Sequence, residues 1–195
     1  MNREAWRALK KKLFFTTEDV ALQFGITGRS AQVFSSRQVK NGAFLRLKKD
    51  FYILEERRPY LEREDFFVLA NYLQVPSYLS CMTALSYHGL TTQVPRDWYE
   101  SVCLKRSVRY GAGGVTFSYF KLKNDYYSSF EKIGSFFMAE KEKAFLDACH
   151  LCAHGRYALD WSALDLGRLD LGRLETLMAP FPARTQNMVK RACGI

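Results

Sequence analysis

The chain has 195 residues with 48% hydrophobic and 15% aromatic content, and its formal net charge at pH 7 is +9. Such a composition supplies a hydrophobic core and excludes an intrinsically disordered chain. No apolar run approaches the roughly 18 residues of a membrane-spanning helix, and the charged start of the chain lacks a signal-peptide core. The five cysteines, an odd number in a chain too long to need disulfide staples, indicate reduced thiols, so we expect a cytoplasmic protein.

The first 54 residues have the element order of a winged helix-turn-helix. Residues 2 to 12 predict a first helix, and residues 16 to 25 predict a second that begins at a hydroxyl cap and ends at a glycine. A third helix is expected from residue 27 or 28 to about residue 40. Two apolar, aromatic-rich runs within residues 44 to 54, joined by two lysines and an aspartate, predict a β-hairpin. In a winged helix, the second helix of the motif enters the DNA major groove and the hairpin contacts the backbone.

The charge distribution favours nucleic-acid binding over an arbitrary small helical module. Residues 1 to 60 contain 13 Lys and Arg against 6 Asp and Glu, so +7 of the net +9 lies on the predicted reader. This asymmetry is the electrostatic footprint expected of a protein that binds phosphates. The alternative to nucleic-acid binding is that this basic face is solvated and has no binding role.

The helix over residues 28 to 40 divides into two faces. Ala31, Phe34 or Ser35, and Gln38 share one face at helical spacing, and we expect it to pack inward. Arginine and glutamine on the opposite face can make bidentate contacts to base edges, whereas the lysines suit phosphates. The cations of the first helix could approach phosphates or remain solvated. The predicted contacts with duplex DNA are Arg29, Ser30, Gln32, Ser36, Arg37, Lys40, Lys48 and Lys49.

A charged joint ending at Pro59 places the predicted domain boundary between residues 58 and 59. The fold class is therefore predicted as α+β, with a winged helix-turn-helix domain at 1–58 and a mixed C-terminal domain at 59–195. The predicted helices of the second domain span 62–73, 76–88 and 139–153, followed by two or three short ones. The predicted strands span 99–105, 115–121 and 132–138, and the glycine-rich run 111–114 is expected to be a turn.

One cluster of residues suggests a metal site but does not have the geometry for it. Cys149, His150, Cys152 and His154 resemble a metal box, but on one helix the cysteine pair and the histidine pair lie about 100° apart and cannot converge. We therefore expect core cysteines with exposed histidines and no metal. The sequence contains no nucleophile elbow, paired-carboxylate motif or phosphate loop, so no catalytic residue or cofactor is predicted, and an enzyme such as a tethered nuclease is the minor hypothesis.

Two segments carry a resemblance to a known family. The run Pro76-Ser77-Tyr78-Leu79-Ser80, followed by Thr83-Ala84-Leu85 and Gly89-Leu90, and the later run from Phe137 to Asp147 resemble the AbiEi-type antitoxins. These are the antitoxin and transcriptional-regulator half of bacterial type IV toxin–antitoxin systems, which are often linked to phage defence by abortive infection. The resemblance implies repression of the protein's own operon through inverted repeats. It also implies neutralisation of a nucleotidyltransferase-like toxin without a stable complex.

The surface that would serve the antitoxin role is expected to be basic. We assign it to the predicted strands and the glycine turn, where it could meet an acidic toxin face or RNA, or could simply be a sheet edge protected by lysines. The alternative function is a solitary winged-helix transcription factor whose C-terminal domain senses a ligand or forms dimers. The sequence leaves the oligomeric state open. The residues assigned to this surface are Lys105, Arg106, Arg109, Lys121 and Lys123.

Overall fold

The structure is a computed structural model that describes residues 2–195, and it is a mixed α+β fold, as the sequence predicts. The chain divides into two compact units. The first comprises the chain up to Leu69 together with Tyr110–Thr116, and the second comprises Ala70–Arg109 and Phe117–Ile195. The predicted boundary between residues 58 and 59 thus falls inside the first unit. None of the helices formed by residues 2–195 combines the length and apolar character that crossing a bilayer requires.

Three helices and an antiparallel two-stranded hairpin make up most of the first unit. A short 3-10 segment, Glu55–Tyr60, follows the hairpin and contains the proline of the charged joint. The regular elements are α1 (Arg3–Lys10), α2 (Thr17–Phe24), α3 (Gly28–Lys40), β1 (Phe44–Lys48) and β2 (Phe51–Leu54).

Local sequence signals fix the ends of these helices. The side chain of Thr16 accepts the backbone N–H of Asp19, and the Asp19 carboxylate accepts the N–H of Thr16, so a reciprocal capping box starts α2. Gly25 ends α2 in the left-handed conformation, at φ 65°, which glycine adopts without a Cβ clash. Thr27 caps α3 through the N–H of Ser30. The three predicted boundaries are confirmed.

An aromatic core holds α3 by its inner face. Ala31 and Ser35 are fully buried, and Phe34 packs beside them with its ring centroid 4.7 Å from that of Phe24. Phe44 of β1 lies 6.2 Å from Phe34, so the hairpin and α3 share one apolar cluster. The inward face predicted for this helix is therefore confirmed at Ala31, Phe34 and Ser35, whereas Gln38 is only half-buried.

A six-stranded sheet has the order β5-β6-β4-β3-β8-β7, and four of its strands, β4, β3, β8 and β7, lie wholly within the second unit. The short central strand β3 runs antiparallel to β4 and parallel to β8, and β7 runs antiparallel to β8 at the sheet edge. The strands are β3 (Ser77–Leu79), β4 (Trp98–Cys103), β5 (Val108–Ala112), β6 (Val115–Lys121), β7 (Phe130–Ile133) and β8 (Phe136–Ala139). The helices of this part are α4 (Arg63–Leu73), which continues from the first unit, α5 (Cys81–Tyr87), α6 (Lys141–Ala153), α7 (Leu171–Met178) and α8 (Ala183–Cys193).

The most buried helix, α6, contacts α5, α7, α8 and β8 and carries a buried ion pair. The Lys143 ammonium and the Asp147 carboxylate lie one turn apart and are each at most 1% exposed. Lys143 also donates to the Tyr78 hydroxyl at 2.8 Å, and Asp147 accepts from Tyr78 at 2.9 Å and from Ser80 at 2.8 Å. These contacts join α6 to the central strand β3 through a polar network inside the apolar core.

The predicted helix over residues 76 to 88 is wrong in its first third. Ser77–Leu79 forms β3, and the helix begins only at Cys81. The strand is buried and pairs on both sides, with Tyr78 opposite Val102 of β4 and Leu79 opposite Met138 of β8. Pairing between distant segments overrides the local helical pattern here.

Two further strand predictions need correction. The predicted strand 132–138 is a hairpin of β7 and β8 that turns at Gly134, where φ is 55°. The predicted turn 111–114 is confined to Gly113 and Gly114, because residues up to Ala112 belong to β5, which the sequence did not indicate. Glycine permits the left-handed backbone of both turns.

Candidate nucleic-acid interface

The outward face of α3 carries most of the residues predicted to contact DNA. Because Ala31 and Ser35 point into the core, the helical repeat turns Gln32, Ser36 and Arg37 outward, and all three are exposed. A shallow groove along this face is lined by Gln32, Val33, Ser36, Arg37 and Lys40. Arg29 and Ser30 are exposed in the first turn of the same helix.

The hairpin adds cations next to this face, and its turn is anchored to α2. Lys49 is exposed, whereas Lys48 is half-buried with its ammonium 5.5 Å from the centre of the Phe51 ring. Asp50 has φ 59° and accepts the backbone N–H of Thr17 at 2.7 Å, so the turn is tied to the first turn of α2. The exposed Arg46 on β1 is a further cation that the sequence analysis missed; its place in an alternating strand was the available signal.

Three acids of the first unit pair with cations other than those on the outward face of α3. Glu56 pairs with Lys10 at 2.9 Å, Asp19 pairs with Lys12, and Glu55 pairs with Arg58 at 2.7 Å. Within residues 2–195, by contrast, the following cations of α3 and β1 have no acidic partner: Arg29, Arg37, Lys40 and Arg46. The α3 face therefore keeps its positive charge, while part of the charge on α1 is cancelled.

The five basic residues assigned to the second unit fall into two groups. Lys105, Arg106 and Arg109 lie on β5 or in the loop before it, and Lys121 and Lys123 line a pocket. Arg109 lies on β5, where its guanidinium stacks 4.6 Å from the Trp98 ring centre and donates to the Ser118 hydroxyl at 3.2 Å. Lys105 and Arg106 are exposed in the loop between β4 and β5. Lys121 and Lys123 instead line a concave pocket of about 320 Å³ beside α6.

That pocket, which we call the basic pocket, is defined by Lys121, Lys123, Tyr126, His150, His154 and Arg156. The Arg156 guanidinium is held in place because it donates to the Lys121 carbonyl at 3.2 Å and to the Ser107 hydroxyl at 2.9 Å. His154 donates from Nδ1 to the His150 carbonyl at 2.8 Å. Three cations and two imidazoles around one concavity form a site suited to a phosphate or another anion.

His150 is the residue on which sequence reasoning failed most clearly. It was expected to be exposed, but it is only 8% exposed, and its Nδ1 lies 2.8 Å from the Thr185 hydroxyl. Burial first, and then the neighbouring His154 and Arg156, lower the pKa of His150 to about 4, so its ring is neutral at pH 7. The i, i+4 spacing of His150 and His154 signalled a shared face, but nothing in the sequence linked that face to Lys121 and Lys123.

The cysteines beside these histidines do not complete a metal centre. Cys149 is buried and Cys152 is half-buried, as expected of core thiols. Across the described part of the chain, no three His, Cys, Asp or Glu side chains come together as a group that could hold a metal ion.

Comparison with known proteins relates the chain by fold alone. The sequence matches no protein-family model and no curated protein. Among solved structures, it is similar to the crystal structure of the RV2827C protein from Mycobacterium tuberculosis, with a TM-score of 0.64 and 13% sequence identity. The match covers 98% of this chain and 76% of that chain. At this identity, the similarity places the protein in a class of α+β folds and carries no function with it.

Proposed function

We propose that the protein is a DNA-binding transcriptional repressor whose reader is a winged helix-turn-helix formed by α1 to α3 and the β1–β2 hairpin. The observation that carries this proposal is the outward face of α3, where Arg29, Arg37 and Lys40 have no acidic partner among residues 2–195 and lie beside an exposed Gln32. Arginine and glutamine suit the edges of guanine and adenine in the major groove. Lys49 and Arg46 on the hairpin suit phosphates, which position a protein without specifying sequence.

The salt dependence of DNA affinity tests this assignment. Each lost phosphate contact should lower the slope of log K against log salt by about 0.9, so Lys48→Ala/Lys49→Ala should lower it by up to about 1.8. The loss should be equal for duplex DNA from upstream of the protein's own gene and for a scrambled duplex. The matched control is Lys190→Ala/Arg191→Ala, which removes two exposed charges from α8. Affinity that does not change with salt would contradict the proposal.

We further propose that the protein acts as the antitoxin of a type IV toxin–antitoxin system that counteracts a nucleotidyltransferase-like toxin. The support is the resemblance carried by residues 76–90 and 137–147, together with the basic pocket of the second unit. An anion-binding concavity on this unit suits either an acidic toxin face or the phosphates of the RNA on which a nucleotidyltransferase acts. The two activities would then use separate surfaces of one chain.

Co-expression with the adjacent gene tests the antitoxin role, with growth as the readout. If that gene encodes the toxin, the full-length protein should restore growth, and Lys121→Glu/Lys123→Glu should abolish the rescue. The reader variant Arg29→Ala/Arg37→Ala, with expression driven from an unrelated promoter, should still rescue. Rescue that survives the charge reversals would remove the basic pocket from the role, and toxicity unaffected by the wild-type protein would refute the role itself.

A further inference from the structure

A second pocket, which shares no lining residue with the α3 groove or the basic pocket, opens beside the β7–β8 hairpin. It has a volume of about 420 Å³, and its walls include Tyr127, Phe130 and Phe137. The Phe130 and Phe137 rings lie edge to face with centroids 6.1 Å apart. Phe137 is 41% exposed and Tyr72, at the rim, is 50% exposed. Large apolar side chains held open around one concavity are typical of a ligand site.

Two buried polar groups in the wall of this pocket have no hydrogen-bond partner among the residues that the structure describes. Asn71 is 8% exposed and Ser77 is 6% exposed, and both line the pocket. The Asn71 Oδ1 accepts the backbone N–H of Phe137, which fixes the orientation of the amide, yet its Nδ2 has no hydrogen-bond partner. The Ser77 hydroxyl also has none. Leaving a buried donor unpaired costs roughly 1–3 kcal/mol, so a ligand that supplied an acceptor would recover free energy.

A lysine places positive charge at the mouth of the same pocket. Lys132 lines the pocket and lies opposite Phe137 in the β7–β8 ladder, two residues after Phe130, so the three side chains share one face of the hairpin. Its neighbour Glu131 is directed to the other face by the strand alternation. In the part of the chain that the structure describes, Lys132 has no ion-pair partner. The pocket therefore combines aromatic walls, two unpaired polar groups inside and a cation outside.

We propose that this pocket binds a small planar aromatic carboxylate that carries a hydroxyl or carbonyl oxygen on the end opposite its acid group. The ligand's rings pack among Phe130, Phe137 and Tyr127, where a flat aromatic molecule can stack on one ring and meet the others edge to face. The polar oxygen meets Asn71 and Ser77, and the carboxylate pairs with Lys132. A ligand without the acid would leave Lys132 unused, and a non-aromatic one would forgo the stacking. The inference is independent of DNA binding and of the antitoxin role.

The inference is tested by measuring the binding of 6-hydroxy-2-naphthoate to the full-length protein by calorimetry. This probe has two fused rings with a hydroxyl and a carboxylate at opposite ends. We expect saturable binding of one molecule per chain with Kd below about 1 mM. Lys132→Gln should weaken it about tenfold, which corresponds to about 1.4 kcal/mol, without changing the affinity for 2-naphthol, which has no acid group.

Two further variants separate the stacking and the polar contact. Ser77→Ala should weaken 6-hydroxy-2-naphthoate but not 2-naphthoate, and Phe137→Ala should weaken every probe. The matched controls are Lys190→Gln and Tyr60→Ala, which alter an exposed lysine and an exposed aromatic ring outside the pocket and should leave binding unchanged. Thermal melts verify that each variant is folded. The proposal is overturned if none of the probes saturates up to about 1 mM. It is equally overturned if binding is indifferent to both Lys132→Gln and Phe137→Ala.

Discussion

The buried Lys143–Asp147 pair should make the second unit unusually sensitive to single charge removal. Lys143→Met leaves the Asp147 carboxylate in the core with the hydroxyls of Tyr78 and Ser80 but without its cation. Removing one partner of a buried pair costs about 3–5 kcal/mol, because the remaining charge stays desolvated. The pKa of Asp147 is raised, because the effect of burial exceeds the opposing effects of Lys143 and the two hydroxyls.

Removing both charges should cost less than the sum of the two single losses. In Lys143→Met/Asp147→Asn neither member of the pair is charged, and the asparagine still offers an oxygen to Tyr78 and Ser80. We therefore expect the double variant to be more stable than additivity predicts by about 2 kcal/mol. The matched control is Arg173→Met, which breaks the exposed pair with Glu140 and should cost no more than about 1 kcal/mol.

Urea denaturation of variants that also carry Trp6→Phe measures the free energy of unfolding of the second unit. The other two tryptophans, Trp98 and Trp161, both belong to that unit, so their fluorescence reports its unfolding. A cost for Lys143→Met as small as that of Arg173→Met would refute the reasoning, because the pair would then behave as if it were solvated. Additive losses in the double variant would refute the coupling between the two charges.

Two further predictions concern stability. In a Trp98→Phe/Trp161→Phe background, urea denaturation followed through Trp6 should show that Asp50→Ala costs the first unit about 1–2 kcal/mol, since it removes the acceptor for the Thr17 N–H and strains a backbone with φ 59°. Asp50→Asn should cost less than half of that. The pKa of His150 is lowered from 6.5 to about 4, so the unfolded chain takes up the proton first as the pH falls. Stability should therefore drop between pH 6.5 and 4, by about 2 kcal/mol at pH 5, and a melting temperature that falls as steeply in His150→Gln would contradict this.

Local signals made the helix ends and the buried face of α3 in the first unit predictable from the sequence. Thr16, Gly25 and Thr27 fix helix ends by contacts within a few residues, and the spacing of Ala31 and Ser35 fixes the inner face of α3. These causes act over one or two turns of chain, which is the range that sequence patterns describe.

Contacts between distant segments explain what the sequence concealed. The sequence of Ser77–Leu79 predicts the start of a helix. The segment forms a strand instead, because it pairs with β4 on one side and with β8 on the other. The basic pocket escaped notice for the same reason, since Lys121 and His150 lie far apart in the chain. The periodicity of residues within one helix or strand does not indicate which distant segments will be in contact.

The segments that carry the family resemblance meet in the core of the second unit. Tyr78 and Ser80 come from the first segment, Lys143 and Asp147 come from the second, and the four side chains form one buried network. Residues of this kind specify a fold by satisfying one another's polar atoms. The surfaces that would act on DNA, toxin or RNA lie elsewhere, so they need their own tests.

We propose that the outward face of α3 reads duplex DNA, and the affinities of single variants for two different DNAs test this proposal. Fluorescence anisotropy would compare Arg29→Ala, Gln32→Ala and Arg37→Ala on DNA from upstream of the gene and on a scrambled duplex. The control is Arg184→Ala, which removes an exposed guanidinium from α8. We predict that at least one reader variant loses about 1–3 kcal/mol on the upstream DNA and much less on the scrambled duplex. Equal losses on both DNAs, or no loss in any of the three variants, would contradict the claim.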